Sequence, residues 1–447
     1  MKYHIITFGC QMNKSDSERI ATILEDRGYK SVSEINEADL IVVNMCSVRQ
    51  SAVDRIFGLS QKLAKLKTQN SKLKTILTGC ILKSDRQKFT KKFDLILDIK
   101  NLPNWPKNFD YKIHHGEICN IRCENYLNIQ PKYQNNFRAF VPISNGCNNF
   151  CSYCVVPFVR GSLVCRDHQE ILKETKKAIQ RGLNSIRKAI SNRAREIWLL
   201  GQNVNDYQSP TNLSINFAKL LQMVNDILGN FWLRFTTPNP QNFSDELIET
   251  MAKCEKVTPY LNLPVQSGDN EILRKMNRSY TIEDYKNLVK KIRKKIPDIT
   301  LSTDIIVGFP RETKKQFENT VKLFREIKFD MAYIAKYSPR PGTAGAELKD
   351  NVSLPEKEKR YKILTEILKE TALEKNKKYL GKEVEVLVDE PVPKNGFLIG
   401  KTKTYKTLKF AGPKNLIGQF VKVEIIDALP WGLKGELKKN KKCQHLS

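Results

Sequence analysis

Short apolar runs alternate with amphipathic stretches through most of this chain. Over residues 1–100, Tyr3–Phe8, Leu40–Asn44, Thr75–Thr78 and Leu95–Leu97 read as strands, whereas Asp16–Arg27 and Ser51–Lys67 carry helical periodicity between turn signals. That spacing predicts an open parallel α/β sheet. Residues 101–135, with LPNWP and several Asn, predict a linker. From Phe137 to Ser338 the alternation resumes, with strands at Ala139–Ile143, Glu196–Leu200, Trp232–Thr236, Tyr260–Leu263, Leu301–Val307 and Met331–Tyr337. Helices at Gln169–Arg181, Asp245–Lys253, Ile282–Lys295 and Lys314–Ile327 fit between them. Six βα repeats predict a (β/α)6 barrel or partial barrel whose chemistry lies where the strands end. A charged helix, Glu356–Tyr379, leads out of this unit, and the short strands EVEVLVDE, GFLIGKT, TLKF and FVKVEII then predict a small antiparallel β-barrel. The fold class is therefore α/β with three parts. Residues 1–118 form an N-terminal α/β domain, 119–136 a linker, 137–375 the central barrel domain and 380–445 the β-barrel.

Composition narrows the class. The 447 residues are 40% hydrophobic and 28% charged, as in a folded soluble protein. No apolar run approaches the roughly 18–20 residues of a membrane span, so no membrane association is expected. The start MKYHIITFGC lacks the long apolar stretch of a signal peptide; the expected location is the cytoplasm. Lys+Arg number 76 against 48 Asp+Glu, a net charge of +28 that favours a polyanionic partner, nucleic acid first. The competing explanation is a lysine-rich proteome, which the many Lys, Asn and Ile residues also fit. Residues 380–447 hold 13 Lys and no Arg against 7 Asp+Glu, a local surplus of 6.

Eleven cysteines in a reducing compartment point to metal ligands or catalytic thiols rather than disulfides. Ile143-Ser-Asn-Gly-Cys147-Asn-Asn-Phe-Cys151-Ser-Tyr-Cys154 places C-x3-C-x2-C directly after a strand. A 4Fe–4S cluster takes four soft ligands. Three cysteines leave one iron open to chelate S-adenosylmethionine, whose carbon–sulfur bond an electron can then break. A zinc loop would favour paired C-x2-C knuckles, and Cys119 and Cys123 offer only C-x3-C. Cys10, Cys46 and Cys80 each lie just past the carboxyl end of a predicted strand. In an open parallel sheet those ends gather along one edge, which suits a second three-cysteine cluster; three small buried residues would fit as well.

The carrying motifs run in order: Gly9-Cys10-Gln11-Met12-Asn13-Lys14-Ser15-Asp16-Ser17-Glu18, Gly146-Cys147 to Arg160-Gly161, Leu199 to Asn205, Arg234-Phe235-Thr236-Thr237, Leu263 to Gly268, Met276-Asn277-Arg278, Ser302 to Pro310 and Tyr337 to Thr343. From Phe8 to Leu437 the chain resembles the radical S-adenosylmethionine methylthiotransferase family. Gly-Cys-Gln-Met-Asn and Gly-Gln-Asn-Val-Asn resemble its tRNA branch, which acts on N6-isopentenyl-adenosine at position 37. The resemblance implies that Cys147, Cys151 and Cys154 bind the radical-generating 4Fe–4S cluster within a partial TIM barrel. It implies that Cys10, Cys46 and Cys80 bind an auxiliary 4Fe–4S cluster, and that the C-terminal barrel is an RNA-binding TRAM domain. Thr407–Phe410 and Gly412–Gly418 would be its RNA-facing loops.

The activity implied is insertion of a methylthio group at C2 of the adenine. Two S-adenosylmethionine molecules are consumed, one to methylate a sulfur and one to yield the radical that removes the C2 hydrogen. The implied partners are the tRNA anticodon stem-loop and an electron donor such as a flavodoxin or ferredoxin; the chain is expected to act as a monomer. Tyr153 is a candidate neighbour of the S-adenosylmethionine adenine, and Gln202, Asn203, Thr237 and Gln266 are candidates to line the cavity, Gln266 among the cofactor-binding residues. The Val307-Gly308-Phe309 turn could offer backbone groups to the nucleoside. Two rivals stand: a sister methylthiotransferase acting on threonylcarbamoyl-adenosine or a ribosomal protein, and a non-catalytic RNA-binding protein stabilised by a metal.

The chain also departs from the family pattern. Ser162-Leu163 stands where an Arg-Glu pair is usual, Cys165-Arg166 where Ser-Arg is usual, and Asn262 where a His is frequent. Leu183–Ala194 reads as an insertion, whose Arg187, Lys188 and Arg193, with Arg195 just beyond, could touch RNA or form a solvated face. Cys119, Cys123, Cys165, Cys254 and Cys443 match no ligand position.

Overall fold

The computed structural model describes residues 1–106, 109, 126–134, 137–180, 194–393 and 396–438. Cys119, Cys123, Cys443 and residues 183–193 of the expected insertion lie outside the described residues.

The N-terminal strands are β1 (Lys2–Thr7), β2 (Lys30–Ser31), β3 (Leu40–Cys46), β4 (Lys74–Cys80) and β5 (Leu95–Ile96). They form one parallel sheet in the order β2-β1-β3-β4-β5. Every residue of β3 is buried, as in a parallel sheet covered on both faces. Its alternation divides two cores. Leu40 and Val42 pack with Ile20 and Leu24 of helix α1 (Gln11–Asp26) on one face. Ile41, Val43 and Met45 pack with Val53, Ile56 and Leu63 of α2 (Gln50–Gln69) on the other. Helix α3 (Lys83–Phe89) follows β4.

Helix α1 starts five residues earlier than its periodicity predicts, directly after Cys10. Its first turns are polar yet buried, including Asn13, Ser15, Asp16, Ser17, Glu18 and Arg19. Asn13 and Ser17 turn to Asn44 of β3, whereas Ser15, Asp16 and Arg19 face the central domain: Ser15 Oγ donates to Phe140 O at 3.1 Å. Glu174 lies between Arg19 and Arg166, each 2.9 Å away, with all three side chains at most 1% exposed. Apolar periodicity cannot find a helix whose inward face is built of such pairs.

The central domain places β6 (Arg138–Pro142), β9 (Glu196–Leu200) and β10 (Trp232–Phe235) in one parallel sheet. The strands β11 (Tyr260–Asn262), β12 (Thr300–Val307) and β13 (Met331–Lys336) form another. A parallel bridge between Leu233 and Val257 links the two halves, so six strands follow in chain order as a partial barrel. A hairpin of β7 (Ser144–Asn145) and β8 (Val164–Cys165) flanks helix α4 (Val156–Arg160).

After helix 354–377, strands β14 (Glu383–Pro391), β15 (Phe397–Thr402), β16 (Thr407–Ala411), β17 (Phe420–Leu429) and β18 (Gly432–Leu437) close into a barrel in the order β14-β15-β16-β18-β17. The sequence predicts only four of these strands. The fifth, GLKGEL, is glycine-rich and charged, and closure makes its pairing with β16 parallel rather than antiparallel.

This barrel docks on the starting ends of the central strands. Tyr405 lies between Trp198 and Tyr260, with ring centroids 5.3 and 4.4 Å away. Arg234 donates to Thr402 O and Lys403 O at 3.0 Å each and to Glu196 Oε1 at 2.7 Å. Arg138 pairs with Glu196 from the other side and with Asp389 at 2.7 Å. Burial opposes ionisation of Glu196, but the two guanidinium groups outweigh it and hold the carboxyl down to about 2. A carboxyl depressed in the folded state stabilises above its unfolded value of 4.5, and that contribution is lost as pH falls toward 2. Its size is about 3 kcal/mol. Asp389 works the other way, because burial raises its carboxyl against Arg138. Glu196→Gln is expected to lower the unfolding midpoint at pH 7, with the gap to the parent narrowing below pH 4.5; thermal scans across that range check it.

Candidate active site

The cysteine loop hangs from the end of β7 on Gly146, whose φ is +85°. A Cβ there would lie 2.0 Å from Ser162 O and 2.5 Å from Gly161 O, so only glycine fits the turn. Gln202 Oε1 accepts from Gly146 N at 2.6 Å, and Cys147 N donates to Gly161 O at 3.2 Å. The later Met-Asn-Arg motif holds the other side. Ser152 N donates to Met276 O at 3.0 Å, and Asn277 Nδ2 donates to Asn149 O and Phe150 O at 3.2 and 3.1 Å. Arg278 reaches the Cys151 sulfur at 3.5 Å and Pro264 O at 3.3 Å.

The other three cysteines converge as the sheet edge predicts, with two at strand ends rather than past them. Cys46 and Cys80 are the last residues of β3 and β4 and sit opposite each other in register; Cys10 precedes α1. Asn13 Nδ2 donates to Asn44 Oδ1 at 3.0 Å and Met45 O at 3.1 Å. Glycine before two of the cysteines makes room for these amides. A Cβ on Gly9 would lie 2.3 Å from Asn13 Oδ1, and one on Gly79 2.3 Å from Asn44 Oδ1. Arg160 Nε donates to the Cys80 sulfur at 3.0 Å.

Cys147, Cys151 and Cys154 line one cavity of about 350 Å³ together with Cys10. Cys46 and Cys80 lie buried behind Cys10, at 7% and 5% exposure. The donor set is thus two groups of three soft sulfurs. Among the described residues no three His, Cys, Asp or Glu side chains close on a single point as one bound ion requires. Thiols set apart around a cavity suit the corners of an iron–sulfur cage. Burial pushes the Cys154 thiol up to about 12, so without a cationic partner it stays protonated.

Gln202, Asn203, Thr237, Gln266 and Tyr153 all line the cavity. Thr237 and Gln266 hold left-handed backbone, at φ +56° and +69°, strain that an element-rigid site can store. Tyr153 also packs with Ile272, Met276, Phe309 and Tyr337. The Val307-Gly308-Phe309 turn, by contrast, does not line the cavity: Gly308 N donates to Glu312 Oε2 at 2.7 Å and Phe309 is fully buried. The altered residues after Gly161 support the loop from outside, Leu163 N donating to Asn148 Oδ1 at 2.9 Å and Cys165 pairing with Ser144 in the hairpin.

Three residues of the site carry little signal in the linear sequence. Asp304 lines the cavity, its carboxyl raised by burial against the donation from Asn262 Nδ2 at 2.9 Å. Its signal was a lone carboxylate in the apolar run of β12. Arg160 and Arg278 stand in sequence motifs that by themselves imply no role, because the sulfurs they reach come from distant segments.

Three family models match in order: Uncharacterized protein family UPF0004 over residues 2–98, Radical SAM superfamily over 141–324 and TRAM domain over 377–438. Among solved structures, the cobalamin-dependent S-adenosylmethionine radical enzyme OxsB superposes with TM-score 0.55 and 13% identity. That match covers 83% of this chain and 56% of OxsB, so this chain spans little over half of OxsB's length. The radical S-adenosylmethionine methyltransferase TsrM from Kitasatospora setae gives TM-score 0.55 and 15% identity over 77% of each chain. These likenesses show the fold. The cysteine loop at the mouth of a parallel partial barrel, with the matched superfamily model, defines a radical S-adenosylmethionine enzyme. A protein of Clostridium botulinum (strain Langeland) named tRNA-2-methylthio-N(6)-dimethylallyladenosine synthase is 41% identical over 97% of this chain and 96% of its own. One of the same name from Thermoanaerobacter sp. (strain X514) is 39% identical over 97% and 92%. The chain belongs to this radical S-adenosylmethionine methylthiotransferase family, whose members use 4Fe–4S clusters and S-adenosylmethionine.

Proposed function

We propose that this chain inserts a methylthio group at C2 of N6-isopentenyl-adenosine (N6-dimethylallyladenosine) at position 37 of tRNA. Cys147, Cys151 and Cys154 would hold the radical-generating cluster, and Cys10, Cys46 and Cys80 the auxiliary one. The observation that carries this reading is the shared cavity, which receives Cys10 of one set and every thiol of the other. The clusters and S-adenosylmethionine supply, when bound, the one-electron chemistry that an unactivated C2 hydrogen requires.

The chain's own residues supply position. A cavity of about 350 Å³ admits a nucleobase but not a helix of RNA, so the target base must leave the anticodon-loop stack to enter. Gln266 and Asp304 give that cavity amide and carboxylate groups that can hydrogen-bond a base edge or the amino acid end of S-adenosylmethionine. The lysines of the C-terminal barrel suit tRNA phosphates. No helix among the described residues is long and apolar enough to cross a membrane. We place the enzyme in the cytoplasm as a monomer fed by a flavodoxin or ferredoxin.

Deleting the gene is expected to remove 2-methylthio-N6-isopentenyl-adenosine from bulk tRNA and leave the unthiolated nucleoside in its place. Mass spectrometry of hydrolysed tRNA reads both. An unchanged methylthio nucleoside in the deletion strain would sink the substrate assignment.

A further inference from the structure

Arg160 belongs to the central domain, six residues beyond Cys154, yet its side chain serves the N-terminal cysteine set. It is 3% exposed. Nη1 donates to Tyr126 Oη at 3.0 Å, Asn145 Oδ1 at 3.2 Å and Asp16 Oδ1 at 3.4 Å, and Nη2 donates to Asp16 Oδ2 at 2.6 Å. Those oxygens suffice to tie the domains together. Nε is turned instead to the Cys80 sulfur at 3.0 Å, a contact that a structural tie does not need.

We propose that Arg160 is a positioning residue for the auxiliary cluster: its Nε–H fixes the Cys80 sulfur and raises the cluster's reduction potential, and Asp16 limits that rise. The proposal rests on the reading that Cys10, Cys46 and Cys80 hold that cluster. Reduction adds negative charge to a cluster, and N–H donors to sulfur together with a nearby cation stabilise the more negative state. The effect is strong because neither partner meets water; the side chains of Arg160 and Asp16 are 2% and 0% exposed. The carboxylate 2.6 Å away offsets part of the guanidinium charge, so the two residues pull the potential in opposite directions.

The test uses the full chain with Cys147, Cys151 and Cys154 all replaced by Ala, reconstituted anaerobically so that one cluster of about four irons remains. Potentiometric titration followed by electron paramagnetic resonance then reads its midpoint. Arg160→Gln is expected to lower the midpoint, Arg160→Lys to lower it less, and Asp16→Asn to raise it. A purely structural tie would move the midpoint in the same direction in all three, or not at all, and either result overturns the proposal. If the Arg160→Gln chain holds no iron, the Lys and Asn variants decide by the same criterion of opposite shifts. A parent triple variant that binds no cluster overturns the ligand reading and this proposal together; a cluster indifferent to residue 160 overturns only the latter.

Discussion

Cys151→Ala is expected to lower S-adenosylmethionine cleavage by more than about 10³-fold, because losing a cluster ligand removes the electron path instead of weakening it. The iron content should fall from about eight per chain to about four. Two features make this residue the sharpest choice in its loop. It lines the cavity, and it is the sulfur toward which Arg278 points at 3.5 Å. The loop's backbone does not depend on the thiol, since Ser152 and Asn277 fasten it through main-chain atoms. The variant therefore keeps its fold while losing the chemistry. Cys165→Ala is the matched control: that thiol lies in the β7–β8 hairpin, away from the cavity lining, and its loss should leave both iron and cleavage near the parent's. Iron determination and chromatography of released 5′-deoxyadenosine read the two quantities on the same preparations. Normal cleavage by Cys151→Ala would remove the C-x3-C-x2-C loop from the reaction.

How far the sequence alone reaches is clear from particular residues. Strands built of buried apolar runs, such as Leu40–Cys46 and Glu196–Leu200, declare themselves because a covered parallel sheet leaves no polar alternation. The cysteine loop is legible because its three cysteines are local. The convergence of the second set was legible through topology, because its members are far apart in sequence and meet where three strand ends share one edge. Only the family resemblance singled out a cluster there. Other features depend on tertiary pairing and leave little trace in a linear pattern. The start of α1 is one, since its buried polar face is satisfied by Phe140 and Glu174 from another domain. The seat of Tyr405 between Trp198 and Tyr260 is another. The fifth barrel strand is hidden for a different reason, as its two glycines and charged residues carry a weak strand propensity that closure of the barrel overrides.

Cys80→Ala is expected to give the complementary failure: no methylthiolated nucleoside, about half the iron, and persistent release of 5′-deoxyadenosine. The physical basis is that the two cysteine sets are built by different parts of the chain. Cys80 ends a strand of the N-terminal sheet, whereas the loop of Cys147, Cys151 and Cys154 is fastened by Gln202, Met276 and Asn277 within the central domain. Removing the Cys80 sulfur takes one acceptor from Arg160 but leaves Asp16, Tyr126 and Asn145 to satisfy its guanidinium. The interface between the domains thus survives, and the loop of Cys147, Cys151 and Cys154 keeps its geometry. Cys151→Ala and Cys80→Ala would then hold the same amount of iron and differ only in whether S-adenosylmethionine is cleaved. That divergence separates two clusters with divided labour from a single cluster served by both cysteine sets, for which both variants would lose iron and cleavage alike. Mass spectrometry of a tRNA anticodon stem-loop substrate, run beside the cleavage assay, decides between them.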